Sequence, residues 1–167
     1  MRIEEKRIEI YKFEELSEEI KEKLIQQETQ SQLEWYCETL LSEDMEEKAQ
    51  ELVKQYFGDK AKFIATYYDL SYTQGRGSMI EFETTYYGVD VRIIQRGFYY
   101  HELSFAVDYY GGFLSEKREK KLKEKIYKMN CKLTEFGDSI TNDEKMFREQ
   151  AIEYLQEQEF TADGKIY

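Results

Sequence analysis

The sequence predicts an α+β fold: an antiparallel β-sheet meander with amphipathic helices from both chain ends packed on one face. Three observations point to it. Apolar residues recur at intervals of three and four as far as Gly58, alternate with polar ones from Ala61 to Tyr110, and return to helical spacing after Gly111 and Gly112. The 167 residues, 41% of them hydrophobic, suit one compact core. With no proline, no Ser/Gly linker, no repeat and no low-complexity tract, nothing marks a boundary, and residues 1–167 read as a single α+β domain.

The first element is a strand over Arg7–Lys12, where Ile8, Ile10 and Lys12 alternate with Arg7, Glu9 and Tyr11. Ser17 then suits an N-cap, Glu18 and Glu19 suit the positive end of a helix dipole, and Ile20, Leu24 and Ile25 form an apolar stripe. Leu33, Tyr36, Cys37, Leu40 and Leu41 continue at helical spacing, with a break expected near Thr29–Ser31. Ser42 is expected to cap a further helix carrying Met45, Ala49, Leu52, Val53 and Tyr56, which Gly58 ends.

In the first strand of the sheet Ile64, Thr66, Tyr68, Leu70 and Tyr72 alternate with their neighbours, and Thr73–Gly77 is a turn. The next strand sets Ile80, Phe82 and Thr84 against Glu81 and Glu83. After Gly88, Val89, Val91 and Ile93 oppose Asp90 and Arg92. After Gly97, Leu103, Phe105, Val107 and Tyr109 oppose Glu102, Ser104 and Asp108. Ser115 caps a helix bearing Leu122, Ile126, Met129, Leu133 and Phe136, with Gly137 as its expected end. Thr141 and Glu144 fit a capping box ahead of Phe147, Ala151, Tyr154 and Leu155, and Phe160–Tyr167, with its Asp163-Gly164 turn, reads as an edge strand.

Acidic residues outnumber basic ones by 35 to 24, a net charge of −11, which argues against general binding of nucleic acid or an anionic membrane. Residues 1–57 hold 16 acidic and 8 basic side chains. Residues 116–132 reverse the sign, with eight lysines and arginines against three glutamates, a basic helix that reads as a solvated face or a partner-binding one. No apolar run approaches membrane-span length and the first residues lack a signal-peptide core, so a cytoplasmic location is expected. Cys37 and Cys131 lack metal or redox spacing and read as two buried free thiols.

No nucleophile, zinc, phosphate-loop or dinucleotide motif is present, so no catalytic residue, metal or cofactor is expected. The lone His101 beside Tyr99 and Tyr100 reads as structural. Gln74–Ser78, QGRGS, could expose amides to an anion, but a strand and not a helix follows it, which favours a plain turn. Glu81, Glu83, Asp90, Glu102 and Asp108 could converge on the polar sheet face as acid and base or as cation ligands. Alternating charge is also what a solvated sheet shows.

The aromatic bias is more informative. Nine of the fifteen tyrosines fall in the predicted sheet, several as adjacent pairs whose members must point to opposite faces, so that one of each pair tends to be exposed. Tyrosine offers contact area with a polar tip, which suits an interface. Tyr72, Gln74, Arg76, Glu81, Glu83, Tyr87 and Tyr99 are the contact residues this reading selects.

Three segments, IYKFEELSEEIKEK (Ile10–Lys23), DLSYTQGRGSMIEF (Asp69–Phe82) and FTADGKIY (Phe160–Tyr167), resemble parts of small acidic phage and prophage proteins. The resemblance implies a phage-derived, non-enzymatic protein of the kind that blocks host defence, anti-CRISPR proteins included. Its partner would be a host protein or ribonucleoprotein such as a nuclease effector, met by protein contact or by nucleic-acid mimicry, with no membrane and no direct nucleic acid; a homo-oligomer is compatible. The alternatives are an enzyme processing nucleotides or nucleic acid through the sheet carboxylates, and an antitoxin or structural phage component.

Overall fold

The computed structural model describes residues 6–71 and 74–167. It is an α+β structure whose elements follow the order β1 (Tyr11–Lys12), α1 (Glu18–Thr39), α2 (Leu41–Phe57), β2 (Lys62–Asp69), β3 (Gly77–Tyr86), β4 (Val89–Gln95), β5 (Phe105–Tyr110), α3 (Glu116–Thr141), α4 (Glu144–Gln156) and β6 (Glu159–Phe160). They fall into two compact units, one built from the chain's two ends, residues 1–39 and 141–167, and one from residues 40–140.

In the first unit α1 packs against α4 and β1 pairs antiparallel with β6, Tyr11 opposite Phe160. Phe13, Leu16, Ile25, Leu155 and Phe160 form its buried core, with the Phe13 and Phe160 rings 6.2 Å apart. The expected strand over Arg7–Lys12 contracts to two residues, because β6 offers only Glu159 and Phe160 as partners; Ile8 and Ile10 are exposed. Nor does the helix break near Thr29–Ser31. The Thr29 hydroxyl donates to the Ile25 carbonyl at 2.6 Å, and the Gln32–Glu28 and Gln30–Glu34 pairs, at 2.9 and 2.8 Å, carry α1 through as one 22-residue helix.

In the second unit the strand order is β2-β3-β4-β5, all antiparallel. Ile80, Phe82, Thr84, Val91 and Ile93 are buried on one face, together with the inner stripes of α2 (Met45, Ala49, Leu52, Val53) and α3 (Leu122, Ile126, Met129, Leu133). The Phe57 ring lies 4.8 Å from that of Phe82, with the Lys125 ammonium 4.8 Å above it. β3 turns into β4 through Tyr87 and Gly88, both at positive φ, 48° and 75°, as a two-residue hairpin with the sheet's twist requires.

Several local expectations change. Ile64 is exposed at a bulge between Phe63 and Ala65. Leu103 lies in a loop, not in β5, and is exposed. Ser42 caps nothing, since α2 begins at Leu41 with Leu40 at the N-cap position. Gly137 does not end α3. It is buried mid-helix, where a Cβ would come within 2.6 Å of Leu70 Cδ1 and 3.1 Å of Met45 Sδ, so it serves close packing. With α3 running on to Thr141, the cap of α4 passes to Asp143, whose carboxylate accepts from the Met146 amide at 3.1 Å. Cys37 is exposed and Cys131 half-buried, both as free thiols.

Candidate interaction surface

α3 runs the length of the sheet. Near its start the Arg118 guanidinium lies 4.3 Å over the Tyr87 ring, at the β3–β4 turn; near its end Asp138 pairs with Arg76, at the opposite end of β3. Twenty helical residues at about 1.5 Å each and ten strand residues at about 3.3 Å each both span about 30 Å, so helix and strand match along their length.

Between those ends sits a buried polar joint. β4 pairs with β3 only from Phe82 downward, which leaves the Ile80 amide without a strand partner on that side. Asn130 of α3, wholly buried, supplies its side-chain oxygen to that amide at 3.2 Å and donates its side-chain N–H to the Glu102 carbonyl at 3.0 Å. Ser78 donates to the Asn130 carbonyl at 2.8 Å and meets the Thr134 hydroxyl at 2.7 Å, which in turn donates to the Glu102 carboxylate at 2.8 Å. Gln95 closes the split from the other side, its amide on the Glu81 carboxylate at 2.7 Å.

The segment beyond Gln95, residues 96–104, folds back over the QGRGS tract. His101 Nδ1 meets the Arg76 carbonyl at 3.0 Å, and the rings of Tyr100 and Tyr67 stack with centroids 5.3 Å apart. The approach is so close that a Cβ on Gly77 would lie 2.8 Å from the Tyr100 carbonyl oxygen, and Gly77 adopts φ +147°. Arg76 secures the tract from beneath, donating to the Leu70 carbonyl at 2.8 Å as well as pairing with Asp138. Burial, and secondarily the Glu81 carboxylate, pushes the Tyr67 phenol above its ordinary pKa.

With its backbone held this way, the loop presents large apolar side chains to solvent: Phe98 is 98% exposed and Leu103 69%, beside the half-exposed Tyr99. A free aromatic ring of that size on a fixed loop has its conformational entropy partly removed in advance, which favours contact with another surface.

Gln74, Arg76 and Tyr99 therefore come together at this end of the sheet, with Glu81 on the strand below. Glu83 lies farther along the polar face in a row of alternating charge, Lys62–Glu83–Arg92–Asp108, formed by direct cross-strand register, and its carboxylate is 3.9 Å from the Arg92 guanidinium. Tyr87 is about 30 Å away at the opposite turn. Tyr72 lies outside the described residues. Phe98 is not among the contact residues that the sequence selects, and Leu103, which the sequence places on the apolar face of a strand, is instead exposed in this loop. The signal for Phe98 is the run Gly97-Phe98-Tyr99-Tyr100-His101, in which consecutive aromatics break the alternation a strand requires.

The carboxylates do not converge. Glu81 caps the Gln95 amide, Asp90 accepts from Thr85 at 2.6 Å, Glu102 turns to α3, and Glu83 and Asp108 take their places in the charged row. Among the described residues no group of three or more His, Cys, Asp or Glu is placed to hold a metal ion, and no helix is long and apolar enough to cross a membrane. Comparison with family models, curated proteins and solved structures finds no match.

Proposed function

We propose that this chain is a phage-type binding protein that inhibits host nuclease machinery by protein–protein contact, with the Phe98–Leu103 end of its sheet as the contact surface. The observation that carries the binding reading is the 98% exposure of Phe98 on a loop anchored through His101, Tyr100 and Gly77. An exposed ring on a mobile segment would have little consequence; one carried on a loop anchored through His101, Tyr100 and Gly77 starts from a backbone already fixed. The role in blocking defence rests on the three phage-like segments and on the acidic balance, which suits a partner with basic surfaces.

The experiment expresses the protein in bacteria carrying an active CRISPR or restriction system and scores phage plating. Rescue of phage that is lost in a Phe98→Ala/Tyr99→Ala variant, with the variant still folded, is the expected result. Absence of rescue across a broad panel of defences would reject the anti-defence role. Rescue that survives the double variant, together with in vitro inhibition of the purified nuclease that disappears with rising salt, would instead favour occlusion of a nucleic-acid channel by the acidic surface, because exposed charges are screened over about 8 Å at physiological ionic strength.

A further inference from the structure

A second surface, in the unit formed by the chain ends, has a different chemistry. Trp35, the only tryptophan in the chain, is 55% exposed on α1, and Tyr154 of α4 is 38% exposed beside it. With Glu28, Ser31 and Gln32 they line a notch of about 340 Å³. Glu28, Ser31, Gln32 and Trp35 fall at intervals of three and four, so they form one stripe of α1 facing Tyr154 across the helix pair. Amphipathic packing places tryptophan inward by default; here the ring is left on the rim of a notch.

Glu28 is the one charged residue that lines this notch, and the sequence on either side of the lining residues is acidic. From Leu24 to the end of α1 the sequence holds Glu28, Glu34 and Glu38 and no lysine, arginine or histidine, and beyond Arg148 it holds Glu149, Glu153, Glu157 and Glu159 before the next cation, Lys165. Glu28 is held in place by the Gln32 side-chain amide at 2.9 Å, a neutral donor that leaves its negative charge uncompensated, and it takes part in no ion pair among the described residues. Two aromatic faces and one fixed carboxylate are the groups that receive a guanidinium: its plane lies on a ring while its N–H groups reach the carboxylate. A phosphate would be repelled by the Glu28 carboxylate.

We propose that the Trp35–Tyr154–Glu28 notch binds an arginine side chain presented by a partner protein. Trp35 supplies the stacking face, Tyr154 the second wall, and Glu28 the hydrogen-bond acceptor. This surface lies in the unit formed by the chain ends and does not rest on the contact proposed for the sheet.

The tryptophan is its own reporter. Titration of the full chain at low ionic strength with the peptide acetyl-Gly-Arg-Gly-Arg-Gly amide is expected to give a saturable change in Trp35 emission. Glu28→Gln and Tyr154→Leu should each weaken the response at least fivefold, and the same peptide with citrulline in place of arginine should give none. Tyr154 is exposed and Glu28 half-buried, and circular dichroism of each variant verifies the fold. A linear, non-saturating change, or an affinity in either variant unchanged from that of the parent chain, would overturn the proposal. So would spermidine matching the arginine peptide, since that would reduce the notch to general attraction of cations.

Discussion

Gly77 is the residue on which the aromatic loop depends. At φ +147° an L side chain is strained, and a Cβ would also press on the Tyr100 carbonyl and the His101 Cα, both backbone atoms that cannot rotate aside. Gly77→Ala should therefore cost about 2 kcal/mol or more in urea unfolding and should release Tyr100 from Tyr67. Tyr87 presents the opposite balance. Its left-handed conformation costs on the order of 1 kcal/mol, which the Arg118 guanidinium over its ring offsets by a similar amount. Tyr87→Asn, which loses the ring and relieves the strain, should leave stability within about 0.5 kcal/mol as read by thermal unfolding. Burial, with Glu119 as a secondary cause, pushes the Tyr109 phenol up to about 12. The folded protein thus holds this proton more tightly than the unfolded chain. Stability should be unaffected below about pH 10 and fall as pH rises from there toward 12, with Tyr67 and Tyr86, raised in the same direction chiefly by burial, adding to the loss. Urea midpoints measured between pH 8 and pH 11.5 should show a shallower decline in Tyr109→Phe.

At the scale of elements, α3 both covers the sheet and completes it. Where β4 leaves β3, Asn130 takes the place of a strand, so that α3 supplies hydrogen bonds as well as apolar burial. Asn130→Leu keeps the branched outline of the side chain but strands the Ile80 amide and the Glu102 carbonyl. It should cost about 2–4 kcal/mol, because buried groups left without partners carry their full desolvation penalty. Hydrogen exchange at Ile80 should quicken more than at Phe82, which keeps its ladder. The basic half of α3, by contrast, owes little to internal ion pairing: Lys123–Glu119 and Lys132–Glu135 are pairs within the helix, and Lys125 lies over Phe57. Such exposed pairs contribute only a few tenths of a kcal/mol each.

For the whole molecule, the division into a unit of residues 40–140 and a unit of the chain ends separates two chemistries. The sheet unit offers Phe98 and Leu103 on an anchored loop; the helical unit offers Trp35 and Tyr154 among glutamates. A Phe98→Ser/Leu103→Ser variant should unfold at a nearly unchanged urea concentration, since both side chains are largely exposed, yet lose contact affinity by about 2 kcal/mol or more if the loop is the anchor of the interface. Binding through the loop should change little between about 50 and about 300 mM salt, whereas binding through the acidic helices should weaken steeply, a comparison that calorimetry with a host protein isolated from lysate on the immobilised chain reads directly.

The α+β class, the meander, and the inward stripes of α2, β3, β4 and α3 were legible in the sequence, because each rests on a period of 3.6 or 2 that burial of one face imposes on neighbouring residues. Tertiary structure alone decided the ends and the joints. Gly137 has the sequence signature of a helix stop, but Leu70 and Met45, distant in sequence, make it a packing position. Arg7–Lys12 has the alternation of a strand, but only two residues of partner exist to pair with it. Leu103 continues an alternating pattern, but the loop that carries it is pulled away from the sheet by bonds to Arg76 and Asn130. In each case local pattern states what a segment can do, while the partner that satisfies its backbone or fills its space comes from elsewhere in the chain. The candidate surface follows the same division: tyrosine pairs signalled that aromatic groups would face outward, and only the folding of residues 96–104 over Gly75–Gly77 determined that Tyr99 and Phe98 would gather there, apart from Tyr87.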